Sequence, residues 1–245
     1  MVDENLKNWA CSFSGCDGGN IKSDIWLCGI EWGGGSYENG KYYKEELKNE
    51  ISKGAVEISA KTFNWKDSTT YTYGRSFAKL YTAIQGNDVT DYKGVCELSG
   101  NELFKLNLYP IAFDSTDHNL WKEYELEKVT GFENKYLFNT WCFFNRFTFF
   151  SEIRKENSPK LIICTGVDYL RDFLMCFGAK NINQIQTKTI SARSEANKYD
   201  RSYYWVKVDK TLLVVIPFFS GRYGLNSNYL LQEMGGNIRA LLKNA

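Results

Sequence analysis

Apolar residues along the chain form short continuous runs, a pattern typical of strands buried on both faces of a parallel sheet. The runs cover residues 25–31, 103–110, 160–165 and 211–216. A turn at Asp209-Lys210 separates the last run from the segment 203–208. We therefore predict four buried strands, with a hairpin leading into the fourth.

Between these runs, apolar residues recur at the three- and four-residue spacing of amphipathic helices. The last helix has a plausible N-cap in Ser227 and an internal Gly235-Gly236 pair, which weakens the helix and indicates a close contact. Polarity predicts a basic loop over 184–202, and residues 54–74 read as irregular or hairpin-like. The predicted helices cover residues 42–52, 77–84, 139–155, 167–177 and 228–242.

Strands that alternate with helices predict an α/β fold. We expect a three-layer sandwich, with a central, mainly parallel four-stranded sheet flanked by helices. Residues 1–245 contain no obvious linker and read as a single domain with insertions. The segment 1–24 is polar and rich in Gly, Ser and Asn, so we expect it to be irregular.

The composition suits a buried core and the binding of flat ligands, but it does not give the chain a strong positive charge that would attract a polyanion. Hydrophobic residues make up 43% of the chain and aromatic residues 16%, and aromatic rings stack well on bases. The formal net charge is only +1. Any binding to nucleic acid must then depend on a local basic patch, with modest and salt-sensitive affinity.

The seven cysteines are scattered and odd in number. Cys11 and Cys16 could form half a metal site, but no Cys or His pair of matching spacing follows, so we expect plain thiols, no metal and no cofactor. The only histidine, His118, lies in a charged segment and is expected at the surface. A polar start and the absence of a membrane-length apolar run predict a reduced, cytoplasmic protein that does not bind membranes.

The first strand ends in an unusual stretch, where Glu31 and Trp32 precede glycines 33–35. In an open parallel sheet, such strand ends meet at the carboxyl edge, where ligands bind. Glycines let a ligand approach the main chain closely. Glu31 is therefore the first candidate for chemistry.

Two other strand ends belong to the same edge. Asn107 ends the second strand, where it either contacts a ligand or stabilises a turn. The last strand leads into Phe218-Phe219-Ser220-Gly221, a second glycine-containing loop.

The order of these parts resembles the uracil-DNA glycosylase superfamily, whose fold is a four-stranded parallel sheet between helices. The resemblance rests on Gly29-Ile30-Glu31-Trp32-Gly33, on Asn107, on the run 159–166 before a helix, and on Phe218-Phe219-Ser220-Gly221. It covers roughly residues 25–243.

The resemblance implies roles for individual residues. Glu31 stands where the mismatch-specific branch has a water-positioning asparagine, and Trp32 replaces its proline. Asn107 matches an asparagine that reads a pyrimidine edge, and Phe218 replaces a histidine that stabilises the leaving base. The implied site comprises catalytic Glu31 and Asn107; base-binding Trp32, Tyr37, Asn107 and Phe218; and phosphate-binding Gly33, Gly34, Ser220, Gly221 and Arg222.

The resemblance implies a DNA glycosylase-like protein that binds a flipped nucleobase and hydrolyses the N-glycosidic bond of uracil or a related damaged base. The alternative is a catalytically inactive nucleotide- or protein-binding module on the same fold, favoured by Trp32 and Phe218. A third possibility is a nucleotide-processing enzyme on a different doubly wound sheet.

Overall fold

The computed structural model of the chain describes residues 2–33, 40–58, 62–113, 117–193 and 198–244. It is an α/β structure with a seven-stranded mixed sheet flanked by helices. The strands are β1 (Gly18–Gly19), β2 (Ile25–Gly29), β3 (Leu103–Asn107), β4 (Leu161–Thr165), β5 (Gln186–Ile190), β6 (Arg201–Val208) and β7 (Thr211–Ile216). The α-helices are α1 (Glu4–Ala10), α2 (Gly40–Ser52), α3 (Trp65–Ser68), α4 (Thr72–Gln85), α5 (Leu120–Glu123), α6 (Glu127–Thr130), α7 (Lys135–Phe144), α8 (Arg146–Asn157), α9 (Leu170–Cys176) and α10 (Asn228–Lys243).

The strand order is β1-β3-β2-β4-β7-β6-β5. Four adjacent strands, β3, β2, β4 and β7, pair in parallel. The outer strands β1, β6 and β5 pair antiparallel. The prediction of a four-stranded sheet therefore gave too few strands, although the four apolar runs form the adjacent parallel strands.

Side chains alternate between the two faces of the sheet, as strand geometry requires. In β4, Ile162 and Cys164 join a core built with α1, α2, α7, α8 and α9. Leu161 and Ile163 join a second core, built with α4 and α10. Both faces of the parallel strands are thus covered, which explains why their sequences are continuous apolar runs rather than alternating ones.

The predicted close contact at the glycine pair of α10 is confirmed for Gly235. A Cβ placed there would lie 2.3 Å from the Cβ of Ala83 on α4, whereas a Cβ on Gly236 would meet nothing within 4 Å. We expect Gly235→Ala to lower the free energy of unfolding by about 1–3 kcal/mol through overpacking. Gly236→Ala should raise it by about 0.5–1 kcal/mol, because alanine favours a helix. Urea unfolding of the two variants measures both effects, and equal effects would contradict the packing.

The N-terminal segment 1–24 is not irregular throughout, contrary to expectation. Asp3 caps α1, its Oδ1 accepting hydrogen bonds from the amides of Asn5 at 2.9 Å and Leu6 at 3.1 Å. The two glycines of β1 pair with β3. Few sequence patterns mark so short a strand, which explains why it was missed.

Three other segments also differ from prediction. The region 54–74 contains α3 and the start of α4. The single helix predicted over 139–155 is two helices, because the chain breaks at Asn145, with φ −116° and ψ −60°. The predicted loop 184–202 contains β5, whose residues Gln186–Thr189 are exposed. An exposed polar edge strand lacks the apolar pattern on which strand prediction depends.

Candidate functional site

An open cleft of about 1210 Å³ lies at the carboxyl ends of β2 and β3. β3 is added on one side of β2 and β4 on the other, so the order in which strands are added to the sheet reverses at β2, although β3, β2 and β4 all run parallel. Open α/β sheets bind ligands at such a switch point. We call this the strand-end cleft; the lining residues used below are Asp17, Glu31, Trp32, Tyr73, Lys105, Asn107 and Phe218.

Asn107 is held in place by contacts with Gly29 and Gly15. It lies beside Gly29 in the parallel register of β2 and β3, and its Nδ2 donates to the carbonyl oxygen of Gly15 at 2.8 Å. A Cβ on Gly29 would lie 2.3 Å from Asn107 Oδ1. Gly29 is therefore needed because the carboxamide occupies the space of a side chain. The structure places Asn107 in the cleft, as predicted. Its hydrogen bond to Gly15 also stabilises the turn over residues 11–15, which was the predicted alternative role.

A polar network forms one wall of the cleft. Asp17 accepts hydrogen bonds from Trp32 Nε1 and from Lys105 Nζ, each at 2.9 Å. The Lys105 ammonium also lies 5.3 Å from the ring centroid of Tyr73. Tyr73 Oη shares a hydrogen bond of 2.9 Å with Thr165 Oγ1, at the end of β4. These contacts fix the orientation of Trp32, which is 41% exposed and lines the cleft rather than filling it.

Phe218 reaches the cleft from the loop after β7. Its ring lies 5.6 Å from that of Tyr73 and is 39% exposed. The loops after β2 and β7 thus meet at one edge of the sheet, but Phe218, and not Ser220, is the residue of the second loop that lines the cleft.

The rest of that loop differs from the expected phosphate site. Ser220, Gly221 and Arg222 are exposed, and none of them is among the described residues that line the cleft. The Arg222 guanidinium instead lies 4.4 Å from the ring of Tyr199. The buried Arg201 donates to the carbonyl oxygens of Arg222 and Gly224, at 3.0 and 2.7 Å, which fixes the path of the loop.

Glu31 lines the cleft, but its carboxylate belongs to a buried ion pair. Oε1 accepts a hydrogen bond of 2.9 Å from Lys135 Nζ, and the two side chains are 6% and 2% exposed. Oε2 is buried and has no hydrogen-bond partner in the described part of the chain. Burial raises the pKa of Glu31 to about 7, although the Lys135 charge opposes this shift. Burial likewise lowers the pKa of Lys135.

Lys135 is further held by an aromatic ring. Its Nζ lies 3.7 Å from the ring centroid of Phe113. Lys135 was not predicted as a site residue. It is the first residue of a helix, and nothing in the sequence indicates that it is buried or that it pairs with a glutamate 104 positions earlier. Tyr73 was not predicted either, and no signal for it was present.

Gly33 also lines the cleft and forms a parallel bridge with Phe113. Two predicted site residues, Gly34 and Tyr37, lie outside the described residues. Their assignments remain predictions.

The cysteines are all free thiols. Burial raises the pKa of Cys11 and raises that of Cys16 to about 12, so neither is a ready nucleophile.

Over the described ranges, no group of three or more His, Cys, Asp and Glu side chains is arranged to hold a metal ion. The described helices are also too short or too polar to cross a bilayer.

Comparisons with protein-family models, with curated proteins and with solved structures find no match to this chain.

Proposed function

We propose that the protein binds a nucleobase in the strand-end cleft, as a divergent member of the uracil-DNA glycosylase superfamily. The observation that carries this proposal is the placement of the Asn107 carboxamide in a cleft that also exposes the ring of Phe218. Four adjacent parallel strands between two helical layers agree with the fold that the motifs suggest.

The cleft offers the two kinds of contact that recognise a base. A carboxamide has two donor hydrogens and an acceptor oxygen, which suit the edge of a pyrimidine. Asn107 uses one donor hydrogen on Gly15 and is thereby oriented. Phe218 supplies an exposed ring for stacking, and Tyr73 supports it from behind.

The electrostatics favour recognition of the base over the backbone. Lys105 is already paired with Asp17. Ser220 and Arg222 lie outside the lining of the cleft. With a net charge of +1, affinity for nucleic acid should be modest. A base already free of its stack is then the preferred ligand, because unstacking costs a few kcal/mol (about 2–3).

A second candidate function is hydrolysis of the N-glycosidic bond, and the unpartnered Oε2 of Glu31 favours it. A carboxyl group with a pKa of about 7 is matched to general-base work at neutral pH. Water that reached Oε2 would be activated there, while Lys135 holds the other oxygen. Against this, Phe218 cannot stabilise a leaving base anion as a histidine would.

Base binding is tested by titrating a single-stranded oligonucleotide that carries one uracil on a non-hydrolysable 2′-fluoro sugar. An otherwise identical oligonucleotide with an abasic site is the reference. We expect Asn107→Ala and Phe218→Ala each to weaken binding of the uracil strand by about tenfold. The exposed Asn183→Ala is the matched control and should bind like the wild type. Equal affinity of the wild type for both strands would overturn the proposal.

Hydrolysis is tested separately by mass spectrometry of strands containing uracil, mismatched thymine or hypoxanthine. Release of a base by the wild type and loss of release in Glu31→Gln would establish Glu31 as the general base. Because Glu31→Gln leaves the buried Lys135 without its counter-charge, the double variant Glu31→Gln/Lys135→Met serves as the folded control. Binding without release in the wild type would favour the inactive binding module.

A further inference from the structure

A second cavity of about 290 Å³ lies beside α7 and α9 and takes no part in the proposed base site. Its lining includes the aromatic rings of Tyr109, Tyr136, Phe143 and Tyr169, together with Arg171 and Asp172. It is about a quarter the size of the strand-end cleft. A cavity of this size suits the head group of a small molecule or a single side chain.

The cavity contains a deeply placed carboxylate. The Asp172 side chain is only 10% exposed. Burial raises the pKa of Tyr109 well above its ordinary value, and the charge of Asp172 is the next largest cause. Burial likewise raises the pKa of Tyr169 to about 12, with Asp172 among the further causes. The Asp172 charge therefore acts on two of the rings that line the cavity.

Arg171 is a cation of the chain itself that lines this cavity. Arg171 Nη2 lies 3.3 Å from Asp172 Oδ1, and the Arg171 guanidinium lies 5.6 Å from the ring centroid of Phe143. The Arg171 side chain is nevertheless 77% exposed, so this is a loose contact at the mouth. Exposed ion pairs are weak, and a better-placed cation would displace Arg171 from the carboxylate.

From this geometry we propose that the cavity binds a small organic cation, an alkylammonium or guanidinium head group. The aromatic rings form a cage around the charge, and Asp172 is the counter-ion. Aromatic faces attract cations, most strongly where water is excluded. Arg171 is an internal competitor, so it reduces the apparent affinity for the ligand.

The test is isothermal titration of the full chain with choline chloride and with its uncharged isostere 3,3-dimethylbutan-1-ol. N-acetyl-lysine methylamide is a third probe, which represents a lysine side chain of a protein. We expect at least one cation to bind about tenfold tighter than the isostere. Tighter binding of choline indicates a free small molecule, and tighter binding of the lysine derivative indicates a protein side chain.

The variants give effects of opposite sign. Asp172→Asn should weaken cation binding by about tenfold, and Arg171→Ala should strengthen it by about threefold. Asp91→Asn removes the same charge from an exposed residue outside the cavity lining and should change nothing. No saturable binding of either cation, equal binding of the isostere, or weaker binding in Arg171→Ala would overturn the proposal.

Discussion

Replacement of Arg146 by alanine is expected to lower the free energy of unfolding by about 3–5 kcal/mol. The Arg146 side chain is completely buried at the start of α8. Its guanidinium makes no ion pair with a described residue and is instead surrounded by main-chain oxygens. It donates to the carbonyl oxygens of Ala10, Ser12, Ser14, Asn107 and Leu108, and to Ser14 Oγ.

The size of the effect follows from the number of acceptors that lose a donor. Each buried oxygen left without a partner costs about 1–3 kcal/mol before any relaxation. Arg146→Lys should recover only part of the loss, because an ammonium cannot reproduce a planar fork of five donors. The ring of Phe150, 4.6 Å from the guanidinium, adds a contact that only a cation at this position makes.

The same contacts connect stability to the candidate site. Arg146 Nη2 donates to the carbonyl oxygens of Ser14, at 2.6 Å, and Asn107, at 3.3 Å. The next residue, Gly15, accepts the hydrogen bond that orients the Asn107 carboxamide. Loss of Arg146 should therefore release both ends of this bond.

Urea unfolding at pH 7 measures the change in stability, and the uracil-strand titration measures the change at Asn107. Arg171→Ala is the matched control, because its side chain is 77% exposed. It should change stability by less than about 1 kcal/mol. An Arg146→Ala variant within about 1 kcal/mol of the wild type would show that water satisfies the freed oxygens.

The parallel strands were predictable because burial on both faces makes each one a continuous apolar run. The sequence offered no such signal for β5, which is polar and exposed, or for β1, which is two glycines. The break at Asn145 was missed for a different reason. Apolar spacing continues through α7 and α8, and no glycine or proline in the sequence marks the break between them.

The candidate site was predictable only as far as strand ends determine position. Asn107 ends β3 and Phe218 follows β7, so both reach the carboxyl edge of the sheet, where the structure places them. Side-chain direction was not predictable. Glu31 pairs with Lys135, which lies far away in sequence, and Arg222 contacts Tyr199 rather than the cleft.

The Glu31–Lys135 pair should destabilise the protein at neutral pH and above. In the folded chain burial raises the pKa of Glu31 from 4.5 to about 7, so the folded state holds a proton that the unfolded state releases. The stability that the folded state gains by holding this proton is fully present below pH 4.5, and it is lost as the pH rises through about 7. The loss amounts to about 3 kcal/mol.

Each single variant should be less stable than the double variant. Glu31→Gln leaves the buried Lys135 without its counter-charge, and Lys135→Met leaves the buried Glu31 without its own. Each should cost about 3–5 kcal/mol at pH 8. Glu31→Gln/Lys135→Met removes both charges at nearly constant volume, and we expect it to be as stable as the wild type at pH 8 or more stable by about 1–3 kcal/mol.

Urea unfolding of the wild type and the double variant at pH 5 and pH 8 separates this pair from all other titrating groups. The stability difference should shift in favour of the double variant by about 2–3 kcal/mol between the two pH values. A difference that is independent of pH would show that the folded chain does not raise the Glu31 pKa. Since the same proton must leave before Oε2 can act as a base, any base release by the wild type should rise over the same pH range.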